Sequence, residues 1–138
     1  MNRWIEEGNG MQVGREIKFR YVFKHPKTKE VQTAIITIDD MERNDWSKTF
    51  KWDSLRFELV ARQRYTGLRD KNGKEIYEGD IALIYGDRCV IEYDSKSASY
   101  VARTKIDSYW ALDEETFKLG VEVIGNIYEN PDLLEVGK

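Results

Sequence analysis

The sequence predicts a mainly β protein with one or two short helices, its second half arranged as a small barrel. Three observations carry this. Apolar residues alternate with polar ones in several short runs, the period of a half-buried strand. Glycines and polar clusters separate those runs, and proline is confined to Pro26 and Pro131. A chain of 138 residues, 41% hydrophobic and 34% charged, has apolar content for one globular domain with a real core.

Residues 1–14, with Gly8, Asn9, Gly10 and Gly14, read as a flexible leader. Arg15 to Phe23 alternates, with Ile17, Phe19, Tyr21 and Phe23 on one side and Glu16, Lys18, Arg20 and Val22 on the other. A polar turn at 24–30 leads to a second run, Val31 to Ile38, so the two should pair as a hairpin. Asp39-Asp40 can cap a helical turn through Met41 to Trp46, because aspartate accepts from the open N–H groups of a helix start. Phe57 to Tyr65 alternates again. Asn72-Gly73 tolerates positive φ at both positions, which fits a two-residue type I′ turn. Beyond it lie Ile81 to Tyr85, Cys89 to Tyr93, Tyr100 to Thr104, a looser segment with Tyr109 and Trp110, and Val121 to Tyr128. Strands this short and closely spaced bury both faces only if the sheet curls on itself. Asn130-Pro131-Asp132 suits a brief helical end.

The single cysteine, Cys89, and single histidine, His25, exclude an intrachain disulfide and a Cys/His zinc site. Cys89 sits in an apolar run and reads as a small buried hydrophobe; His25 precedes Pro26 in a solvated turn. No apolar run nears the roughly 20 residues of a membrane helix, and a lone thiol suits the cytoplasm. The net charge of −3 conceals two opposed halves. Residues 1–74 carry 16 Lys and Arg against 11 Asp and Glu, whereas residues 75–138 carry 6 against 14. Such asymmetry bears on partners rather than on fold.

The string Tyr65-Thr66-Gly67-Leu68-Arg69-Asp70-Lys71-Asn72-Gly73-Lys74-Glu75-Ile76-Tyr77-Glu78-Gly79-Asp80-Ile81 resembles the central signature of the YopX family of phage and prophage proteins. Arg15 to Arg20 resembles the family's first strand, and Val123 to Leu134 its closing motif. Together the three blocks span about residues 15–134, in order. The leader, Tyr21 and the Arg62-Gln63-Arg64 run depart from the usual pattern. The resemblance implies an SH3-like barrel over 65–134, a β-rich extension with a hairpin over 15–64, and a tail at 135–138. It implies no activity to carry over, and the fold alone does not choose a partner.

Candidate sites follow. Arg62, Arg64, Arg69, Lys71 and Lys74 interleave with Tyr65, a pattern that could hold phosphates while the ring stacks on a base; a solvated hairpin face with Tyr65 buried accounts for the same residues. Trp46, Phe50 and Trp52 recur too irregularly for a cofactor box and read either as core or as an exposed interface. Asp70 to Gly73 lacks the further ligands of a calcium loop, and Asp113-Glu114-Glu115 reads as a loop or helix start. No catalytic set, metal, cofactor or small-molecule substrate is implied. The expectation is therefore a non-enzymatic cytoplasmic module of a bacterial host that binds protein, itself included as a homo-oligomer. A nucleic-acid-binding module using 62–74 is the alternative.

Overall fold

A computed structural model describes residues 16–49 and 56–135. Phe50, Trp52 and the leader at 1–14 lie outside the described residues, as do 136–138 of the tail. Among the described residues, nine strands form two antiparallel sheets. The first has the order β2-β1-β3-β4 and the second β8-β7-β6-β5-β9.

β1 (Lys18–Lys24) and β2 (Val31–Thr37) pair in register from Lys18 opposite Thr37 to Lys24 opposite Val31, the expected hairpin. His25 shapes the turn, its Nδ1 accepting from the N–H groups of Lys27 and Thr28 at 3.1 and 3.2 Å. The expected helix at 41–46 forms earlier, as α1 (Ile38–Glu42). Its cap is Thr37, not Asp39 or Asp40: Thr37 Oγ1 accepts from Asp40 N–H, and Asp40 Oδ2 accepts from Thr37 N–H. This reciprocal pair satisfies two helix-start donors at once, which outcompetes a later start. Lys48, in a short 3₁₀ turn at Ser47–Thr49, reaches Asp40 at 2.7 Å, the largest of the influences that hold this carboxyl at a pKa of about 2.

β3 (Glu58–Arg69) pairs with β1 along one edge and with β4 (Glu75–Tyr77) along the other. The boundary expected between 64 and 65 thus falls inside one continuous strand, and the sheets separate after β4. The Asn72-Gly73 turn also differs from expectation. Asp70 N–H bonds Lys74 O and Gly73 N–H bonds Asp70 O, with positive φ at Gly73 but not at Asn72. That is a three-residue loop closed by a left-handed glycine, and the Asp70 side chain selects it by accepting from Asn72 and Lys74 N–H, both at 2.9 Å.

The second sheet is a meander of β5 (Asp80–Ile84), β6 (Asp87–Asp94), β7 (Ser99–Arg103) and β8 (Tyr109–Ala111). After α2 (Glu114–Leu119), capped by Asp113, the strand β9 (Val121–Asn126) returns beside β5. Its end strands β8 and β9 are not hydrogen-bonded to each other, so these pairings leave the sheet open where a barrel was expected to close. The core packs Ala82, Ile84, Cys89, Ile91, Ala102, Val121 and Val123, with Ile76 contributed by β4 of the first sheet. Cys89 is the buried hydrophobe expected, and burial pushes its thiol up to about 11.

The two-residue type I′ turn lies elsewhere, at Tyr85-Gly86, with φ of 48° and 87° between the paired residues Ile84 and Asp87. Tyrosine is a poor choice there, since a left-handed residue with a Cβ is strained and Asn is favoured. Tyr85 is 77% exposed and returns little by packing. Tyr85→Asn is expected to raise stability by about 0.5–1 kcal/mol, measured as a higher urea midpoint at unchanged slope.

Candidate functional site

The signature segment 65–81 forms the joint between the sheets, and β1 completes it. The side of β1 that reads as polar in sequence faces this joint. Lys18 and Arg20 retain only 12% side-chain exposure, and Val22 beside them is fully buried. Arg20 is the centre. Its Nε donates to Gln63 Oε1 at 2.7 Å, and Nη1 meets Asp80 Oδ1 at 2.7 Å as an ion contact outside hydrogen-bond alignment. The guanidinium also lies 5.1 Å from the Tyr77 ring centroid. Asp80, at the start of β5, is 1% exposed, and its Oδ2 accepts from Tyr77 N–H at 2.8 Å. Burial raises the Asp80 pKa, while the Arg20 charge and the Tyr77 N–H oppose the rise.

A second set lies beside it. Glu75 accepts from Lys18 Nζ at 2.6 Å, from Tyr77 Oη at 2.9 Å and from Arg69 at 3.2 Å. Burial works against the Glu75 charge, but Lys18 and Tyr77 outweigh it and hold its pKa below the ordinary value. Burial and the same bond to Glu75 push the Tyr77 phenol up.

Asp70 is the third tie. Besides closing its own turn, its Oδ2 accepts from Val123 N–H of β9 at 2.9 Å, and Lys71 N–H donates to Val121 O. Burial favours the neutral Asp70 carboxyl, yet the donors at Val123, Lys74 and Asn72 together hold its pKa below the ordinary value. A lowered folded pKa gives stability that is present above the unfolded value of about 3.9 and lost as pH falls through the folded one. Asp70→Ala is expected to cost about 2 kcal/mol at neutral pH, mainly by orphaning the Val123 donor, and to flatten the acid limb of a stability–pH profile.

These ties decide what the signature offers a ligand. Tyr65 is 5% exposed, with Lys18 Nζ 4.9 Å over its ring and Tyr77 5.4 Å away, so its face is closed to a base. Arg69 bonds Gly73 O and Glu75, and Lys71 pairs with Glu122 at 3.7 Å. Lys74 is exposed on the hairpin loop. Arg62 and Arg64 project from the outer face of β3, Arg62 over the Tyr21 ring at 5.4 Å. Trp46, the described member of the aromatic trio, is half-buried against Tyr21 at 6.1 Å and donates to Asn44 Oδ1. The structure therefore does not unite the six basic-segment residues into one face.

What it does form is a cleft of about 560 Å³ at one end of the joint, which sequence reasoning missed. One wall is Ile17, Arg64 and the bulge of β3 at Thr66–Leu68, where three residues face one across the ladder. The other is the β6–β7 turn with Tyr93, Ser99 and Tyr100, the two rings edge to face at 5.4 Å. Gly67 opens the β3 wall: its φ is 87°, and a Cβ there would meet nothing within 4 Å. In sequence the visible signal is the glycine inside a strand run, which marks a bulge or close approach; nothing in sequence brings Tyr93 to it.

Among the described residues no group of three His, Cys, Asp or Glu is placed to hold a metal ion, and no helix is long and apolar enough to cross a membrane. Asp70 directs both oxygens at N–H donors and Asp113 caps α2, so neither is set to receive a cation.

A family model described as YopX protein matches residues 12–135. The chain belongs to the YopX family. It is also similar to the crystal structure of protein EF1440 from Enterococcus faecalis, with 25% identity and a TM-score of 0.51 over 86% of this chain and 98% of that one. A search of curated proteins finds no match. In this YopX protein, the signature residues Asp70, Tyr77 and Asp80 are engaged in joining the two sheets, while Tyr65 and Glu75 are tied to Lys18 and Tyr77 within the first.

Proposed function

We propose that this YopX protein is a non-enzymatic accessory module of a phage or prophage that binds protein in the bacterial cytoplasm, copies of itself included. The cleft carries this reading. It sets an exposed arginine opposite a pair of tyrosines, the residue types that anchor protein interfaces. The opposed charges of the two halves support the self-binding part, since the basic outer face of β3 complements the acidic second sheet.

Light scattering over a concentration series tests self-binding. The expected mass rises above the 16.3 kDa of one chain and falls back as salt is added; a monomer at every concentration in low salt ends that part. Capture of partners from phage-infected cells, with and without nuclease, tests the rest. Retention of protein after nuclease, reduced by Tyr93→Ala, supports the module. The alternative, nucleic-acid binding through 62–74, draws on the exposed pair Arg62 and Arg64. It requires that capture vanish with nuclease and that oligonucleotide affinity fall steeply with salt.

A further inference from the structure

We propose that the cleft takes an extended acidic peptide, with one carboxylate on Arg64 and the neighbouring apolar side chain on Tyr93 and Tyr100. This rests on the protein-binding reading and names the partner's chemistry. The cleft volume lies within the range that encloses a short ligand segment. Its apolar surface is concentrated on Tyr93, 49% exposed, and Ile17, 45% exposed, which face the site from opposite walls. Such rings bury large area at low entropic cost.

The charge is specific in sign and number. Arg64 is anchored by its backbone, its N–H donating to Glu78 Oε1 at 2.8 Å, so the site is held while the side chain extends outward. Among the described residues no carboxylate lies within ion-pair distance of its guanidinium. A planar fork in this position matches a carboxylate through two parallel hydrogen bonds. Arg62 precedes it by two residues on the same face of β3 and extends the preference for acid beyond the cleft.

A polyanion fits less well. Tight nucleic-acid binding neutralises several phosphates, whereas Arg64 is the single cation among the described residues that line the cleft. Gly67 adds room for a main chain, because the bulge passes the opening without a side chain.

The test is selection of a random displayed peptide library on the whole protein, followed by titration of the best enriched peptide, fluorescein-labelled, by anisotropy. Enriched sequences are expected to carry Asp or Glu next to an aromatic, aliphatic or proline residue. Arg64→Gln and Tyr93→Ala should each weaken binding at least tenfold, and Arg88→Gln, on the far turn of the second sheet, should leave it unchanged. Both cleft side chains are exposed and Arg64→Gln keeps the backbone bond to Glu78, so circular dichroism should show folded variants. Enriched peptides without an acidic residue, or binding indifferent to both cleft variants, would overturn the proposal while protein binding stands. Enrichment of nothing, with oligonucleotides retained instead, would overturn both.

Discussion

Arg20→Met is expected to destabilise the protein by about 3–5 kcal/mol at neutral pH, the loss typical when one partner of a buried ion pair is removed. Methionine keeps much of the apolar stem but leaves Asp80, 1% exposed, with the Tyr77 N–H donor and no counter-charge from Arg20. Gln63 Oε1 loses its donor at the same time. Because β1 belongs to the first sheet and β5 to the second, the damage falls on the joint rather than within either sheet. The companion variant Arg20→Met with Asp80→Asn separates charge from packing. Asparagine still accepts from Tyr77 N–H and carries no charge, so the pair should recover more than half of the loss in urea unfolding. If the pair is no more stable than Arg20→Met alone, the buried charge is not the cause.

The pH dependence has a definite sign. Burial raises the folded pKa of Asp80 above its unfolded value, with Arg20 opposing. Stability from such a group is present below about 3.9 and lost as pH rises through the folded value. Without Arg20 the folded value climbs further. The deficit of Arg20→Met should therefore be smallest in acid, where Asp80 takes a proton, and grow toward neutrality. Asp70 runs the other way, losing its contribution as pH falls, so comparison of single variants, not the wild-type profile alone, resolves the two.

How far the sequence reveals this arrangement depends on the distance over which each signal acts. Local signals serve well: alternation marks β1 and β2, and Asp113 and Pro131 mark short helical ends. Turn type is harder. Asn-Gly is the strongest local signal for a type I′ turn, yet Asp70 imposes a different loop at Asn72-Gly73, and Tyr85-Gly86 takes the type I′ form with a residue that local preference disfavours. The side of β1 that turns inward is harder still. Lys18 and Arg20 read as solvent-facing because their neutralising partners lie far along the chain, Glu75 being 57 residues from Lys18. Burial of a charge is legible only with its counter-charge, and a sequence orders neighbours in the chain, not across sheets. The same limit hides the cleft, whose walls come from β3 and from the β6–β7 turn.

Gly79→Ala is the sharpest test of how closely the signature is fitted. Gly79 ends the turn between β4 and β5 with φ of 85°, and its backbone is engaged on both sides, N–H to Ile91 O at 2.8 Å and C=O from Ile127 N–H at 2.9 Å. The chain cannot relax toward a negative φ without breaking those bonds to β6 and to the residue after β9. A left-handed alanine alone costs about 1–2 kcal/mol. The added Cβ would also lie 2.0 Å from Gln63 Nε2, so the amide must move. A surface glutamine would swing away at little cost, but Gln63 is 5% exposed and its Oε1 holds Arg20. Moving it withdraws a neutral acceptor from a buried guanidinium, a further loss of about 1–3 kcal/mol. The sum predicts about 3 kcal/mol or more of destabilisation. Pairing Gly79→Ala with Gln63→Ala removes the collision and leaves the backbone term, so the two changes should cost less together than the sum of their separate effects. Strict additivity in a double-mutant cycle would mean that the glycine serves the turn alone and not the seat of Arg20.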